Sequence, residues 1–177
     1  DMENRRGSQP RLFLDLIEEL SRNPTFLDLC HFSDASKDRR EPQEYVLRFF
    51  ALLDRYQSFS GQIHDFLDEY LKIKNEELKN CENPEQQLNN YRNEFLSVLS
   101  VIERYFPNSL KTGKHIIKPV SRIKFESLCV GLALALRERE NWVPSSTDFL
   151  ESDEFKTYTR SDGYSSKNKV IRRIEYV

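Results

Sequence analysis

Glycine and proline are scarce in this chain, at five and seven of 177 residues, and they fall between the periodic apolar segments. That scarcity excludes collagen-like and low-complexity classes and leaves helices joined by short connections. The five glycines never cluster as Gly-x-x-x-x-Gly-Lys or Gly-x-Gly-x-x-Gly, so no phosphate-cradling loop can be drawn. No apolar run approaches the roughly 20 residues needed to cross a bilayer. The charged opening Asp1-Met2-Glu3-Asn4-Arg5-Arg6-Gly7 is no signal peptide. No membrane partner is therefore expected. Cys30, Cys81 and Cys129 are odd in number and far apart, which argues for reduced thiols and a cytoplasmic setting. A net charge of −2 neither favours nor opposes a polyanionic partner.

What the chain does have is helical periodicity. Its length suits one domain, and 38% hydrophobic with 32% charged residues makes it globular rather than disordered. Glu44-Tyr45-Val46-Leu47-Arg48-Phe49-Phe50-Ala51-Leu52-Leu53 is the richest apolar stretch, with one cation inside it. Such a run reads as a central helix buried on most of its circumference. Arg48 must then find an acidic partner or snorkel outward.

Around it, a first helix is predicted from Gln9 to Ser21 with Leu12, Phe13, Leu16, Ile17 and Leu20 inward. Asn23-Pro24 and Asn83-Pro84 each read as a cap followed by proline at the first helical position. Ser33 to Arg40 reads as a polar loop, and Asp38 or Arg40 precedes the central helix. Ser58 or Ser60 is the expected cap of the helix that buries Phe66, Leu67 and Tyr70. Ser121 starts a further apolar helix, in which Gly131 permits close packing. Thr147 is the expected cap of a short helix with Phe149, Leu150 and Phe155, and Ser165 or Ser166 opens the last one. No strand alternation persists. The fold class is all-α, a single bundle of seven or eight helices with short loops.

No reaction centre is legible. His31, His64 and His115 have no second histidine or cysteine at ligand spacing, and His64 with Asp68 reads as a solvated surface pair. There is no Gly-x-Ser-x-Gly, and Cys30 and His31 point about 100° apart on a helix. We therefore expect no catalytic residue, no metal and no cofactor, and class the chain as a non-enzyme.

Two basic clusters are the candidates for binding. Lys111, Lys114, His115, Lys118, Arg122 and Lys124 run without an intervening acid. Ser166, Lys167, Lys169 and Arg172 surround the start of the last helix, where hydroxyls and free N–H groups adjoin cations. Both could neutralise nucleic-acid phosphates. The competing reading is a solvated loop and an ordinary capped helix, with Arg172 or Arg173 paired to an acid.

Taken together, several segments resemble the helical C-terminal half of GmrS-like bacterial proteins. They are Leu16-Ile17-Glu18-Glu19-Leu20 to Asn23-Pro24-Thr25-Phe26, Tyr45 to Leu52, and Phe59-Ser60-Gly61 into Asp65-Phe66-Leu67-Asp68-Glu69-Tyr70. Phe125-Glu126-Ser127-Leu128 and the ending Ser165-Ser166-Lys167 to Arg173-Ile174 complete the set. Members of that group carry a ParB/sulfiredoxin-like N-terminal domain marked by Asp-Gly-Gln-Gln-Arg, and some restrict modified phage DNA. That motif does not occur here, so the family's catalytic residues have no position to be carried onto. The resemblance implies a helical domain over residues 9–177, with 1–8 as the remnant of a join to a missing N-terminal domain. That missing domain and DNA are the implied partners, in a defence-type protein. The alternative is a scaffold or protein-interaction domain without a nucleic-acid role.

Overall fold

Helix α4 (Glu41–Arg55) is the axis against which the other helices are laid. The computed structural model describes residues 11–110, 120–160 and 166–177. Among the described residues there is no strand, and the all-α bundle expected from periodicity is what forms. In chain order the remaining helices are α1 (Leu12–Ser21), α2 (Pro24–Cys30), α3 (Asp34–Asp38), α5 (Ile63–Lys79) and α6 (Pro84–Tyr105). They continue with α7 (Arg122–Glu138), α8 (Asp153–Tyr158) and α9 (Lys167–Glu175). The expected linker remnant at 1–8 lies outside the described residues, and so do two further sequence signals, the apolar pair Ile116-Ile117, read as extended, and Asp162-Gly163, read as a turn.

The apolar run of α4 explains its position. Tyr45, Val46, Phe49, Phe50, Ala51, Leu52 and Leu53 are all buried, so partners are needed on most sides. Helices α1, α5 and α7 supply them, α3 covers its start, and α6 and α9 pack on α7 from outside. Interlocking rings fill the space. Phe13 meets Phe50, Tyr70 and Tyr91 edge-on with centroids 5.3 to 5.8 Å apart. Phe26 meets Phe32 and Phe95 in the same way at 5.4 Å. Such pairs add to the burial of their area by roughly 0.5–1.5 kcal/mol each.

Capping follows sequence chemistry at three of the expected places. The Asn23 side chain accepts from Phe26 N–H at 3.0 Å, Asn83 from Gln86 N–H at 3.1 Å, and Ser121 from Lys124 N–H at 3.2 Å. Elsewhere the expectations need correction. The segment Ser33 to Arg40 is not a loop throughout, because the Ser33 hydroxyl accepts from Ser36 N–H and closes the short helix α3. Arg40 then turns the chain into α4 through the left-handed region, with φ 59° and no side-chain cap. Neither Ser58 nor Ser60 caps α5. A 3-10 turn at Tyr56–Ser58 and the positive φ of Gly61 intervene, and Gln62 holds the cap position. Thr147 makes no side-chain cap either. It precedes a 3-10 turn at Asp148–Glu151, and α8 is capped separately by the Ser152 hydroxyl.

Gly131 on α7 marks the seat of the last helix. A Cβ at this position would stand 2.9 Å from the Ile174 carbonyl oxygen and would run into Val177, so the absence of a side chain is what lets α9 sit down.

Candidate nucleic-acid interface and the charged clefts

The two arginines of the central run and the last helix share one buried acid. Arg48 Nη1 donates to Glu126 Oε1 at 2.6 Å, while its Nε donates to Glu44 Oε1 at 2.8 Å one turn back on α4. Arg173 of α9 pairs with the other Glu126 oxygen. The three residues are 1 to 3% exposed. Burial alone would depress the Arg48 pKa, but Glu126 and Glu44 outweigh it and hold the guanidinium charged. So Arg48 takes an acidic partner rather than snorkelling, and Arg173 takes the same one.

This arrangement decides part of the first basic cluster. Arg122 donates to Glu44 at 3.1 Å and lies over the Tyr45 ring, which makes it an extension of the buried network. Lys124 instead lines a pocket of about 360 Å³ together with Ser109, Asp148 and Glu151. Burial lowers its pKa, with Glu151 opposing. Lys111, Lys114 and Lys118, along with His115, lie outside the described residues.

The second cluster keeps its exposure. Ser166, Lys167, Lys169 and Arg172 all face solvent, while Val170, Arg173 and Ile174 face the core. The first turn of α9 contains no acid, and Ser166 holds the cap position without spending its hydroxyl on a side-chain cap bond. The starts of α7 and α9 also lie toward the same side of the molecule. Glu126 meets Arg173, and Gly131, further along α7, meets Ile174 and Val177. Contacts advancing the same way on both helices put their first turns toward the same side.

Sequence reasoning missed a charged cleft, an open space of about 600 Å³ where α4, α5, α6 and α7 meet. Asp54 is its hub. It accepts from the Tyr70 hydroxyl at 2.7 Å and from Arg137 at 2.9 Å, and Lys74 stands 3.2 Å away. Arg137 also pairs with Glu94, and Lys74 with Glu77. Asp54, Lys74, Glu77, Glu94 and Arg137 answer one another's charge, and the cleft ties four helices together. A lone acid closing the apolar run of α4 was the available signal, but its partners are distant in sequence.

Among the described residues no group of three or more histidines, cysteines and acids could hold a metal ion. Cys30 and Cys129 are buried, and burial pushes both thiols up, away from thiolate reactivity. His64 and Asp68 are exposed on α5. Among the described residues no helix is long and apolar enough to cross a membrane. No family model, curated protein or solved structure matches the chain.

Proposed function

We propose that this is a non-catalytic helical domain that works by contact, touching DNA backbone with the exposed side of α9. One observation carries the reading. Helix α9 sends Arg173 into the core and leaves Ser166, Lys167, Lys169 and Arg172 outside, with no acid in its first turn. Cations arranged this way neutralise phosphates without reading bases.

The magnitude limits the role. Each phosphate contact contributes about 0.9 to the slope of log affinity against log salt, so three cations give a slope near 3. That is weak, auxiliary binding, suited to a domain assisting another. The proposal extends to a nucleotide-handling domain on the same polypeptide, as in GmrS-like defence proteins. Support for an apolar docking role is thinner, since Val143 is the one large hydrophobic side chain left exposed among the described residues.

Titration of a labelled duplex across a salt series tests the DNA part. We expect binding at low salt with a slope of about 2 to 3, reduced by about 1 in Lys167→Ala. Undetectable binding at low salt removes DNA from the proposal. An Asp-Gly-Gln-Gln-Arg segment in the upstream reading frame would support the family part, and its absence there would sink it.

A further inference from the structure

The pocket around Lys124 has features that phosphate contact does not use. Its volume of about 360 Å³ falls in the range of small-molecule sites. Phe106 and Leu150 give it apolar wall, and Ser109, Asp148 and Glu151 give it polar groups. Ser109 is 8% exposed, and its buried hydroxyl makes no hydrogen bond among the described residues.

Lys124 differs from the bundle's other sheltered cations. Arg48, Lys74, Arg122, Arg137 and Arg173 each meet a carboxylate at ion-pair distance. Lys124 meets none among the described residues. Glu151 is near enough to act on it, but that carboxylate is engaged by Lys156 at 3.1 Å. Lys124 also sits in the first turn of α7, where the helix terminus disfavours a cation. Burial works in the same direction, so the free amine is more accessible here than on an ordinary surface lysine.

We propose that this pocket captures a small uncharged aldehyde or ketone as a reversible imine on Lys124 Nζ. The amine lone pair forms a C–N bond to the carbonyl carbon, and the carbonyl π pair moves to oxygen and takes a proton. Nitrogen then loses a proton to water, the hydroxyl takes one from solvent and leaves as water, and C=N forms. The Ser109 hydroxyl is an available donor to the carbonyl oxygen. Asp148 and Glu151 disfavour carbonyl compounds that carry their own carboxylate. This role goes beyond the DNA reading and is independent of it.

Brief treatment of the intact chain with propionaldehyde and borohydride near neutral pH, followed by peptide mapping, tests the idea. We expect Lys124 to be alkylated faster than the exposed Lys167 and Lys169, because burial favours its uncharged amine. Glyoxylate should show no such preference, and Lys124→Arg should remove the fast phase. Labelling of Lys124 equal to or slower than that of Lys167 and Lys169 overturns the proposal, whatever the variant does.

Discussion

Glu126 on α7 and Arg173 on α9 form an ion pair sealed from solvent, at 1% and 2% exposure. Arg48 holds the other carboxylate oxygen, so two buried cations share one acid, with Glu44 a second partner of Arg48. Removing Glu126 would take the buried carboxylate from Arg173 and leave Arg48 to the half-buried Glu44, in a low-dielectric interior. We expect Glu126→Ala to lose about 3–5 kcal/mol, a large share of a typical domain's total stability. Replacing all three residues together by Met or Leu should be close to neutral, because well-packed apolar side chains avoid the desolvation cost. Urea unfolding of the two variants checks both statements. Equal losses would show that the triad stabilises by shape rather than charge.

Three asparagine and serine positions share a place at a helix start but differ in bonding. Asn23 and Asn83 each accept a backbone N–H from the first turn, whereas Ser166 makes no side-chain cap bond. Alanine at either asparagine should therefore cost about 1 kcal/mol. Alanine at Ser166 should leave the urea midpoint unchanged while weakening DNA contact, if α9 is the contacting element. A stability loss at Ser166 matching that at Asn83 would contradict the geometry.

Much of the bundle was legible because local chemistry and tertiary packing agree along most of the chain. The stripes of α1, α4 and α6, and the caps Asn23, Asn83 and Ser121, are read from neighbours a few residues apart. The failures have a common cause. Ser33 closes a helix of only five residues, too short to show periodicity. Ser58 lies in a 3-10 turn, and Ser60 precedes the positive-φ Gly61, so a capping residue type was present without the geometry. The candidate binding residues were harder still. Arg122 and Lys124 stand two apart in sequence, yet one joins Glu44 and the other lines a pocket. Helix phase separates them, but the partner of each is set by α4 and the Asp148–Glu151 turn, which no local pattern announces. That an acid was needed for Arg48 could be read; that Glu126 would serve both Arg48 and Arg173 could not.

Asp54 gives the bundle an acid-sensitive joint. Burial alone would raise its carboxyl pKa, but the Tyr70 hydroxyl, Arg137 and Lys74 outweigh that and hold it below the ordinary value. A folded-state pKa below the unfolded one means that, as pH falls, the unfolded chain takes the proton first. The contribution is complete above about pH 3.9, the unperturbed aspartate value, and disappears as pH drops through the lowered folded value. Glu44 is held down in the same direction by Arg48 and Arg122 against its own burial, so the acid limb has more than one source. Asp54→Asn should fold, because Arg137 keeps Glu94 and Lys74 keeps Glu77. Its urea midpoint should lie below wild type at neutral pH and converge with it toward pH 2, since only wild type has the Asp54 charge to lose. Two curves running parallel across that window would mean the carboxylate's charge contributes nothing to stability, leaving Asp54 only its shape and hydrogen bonds.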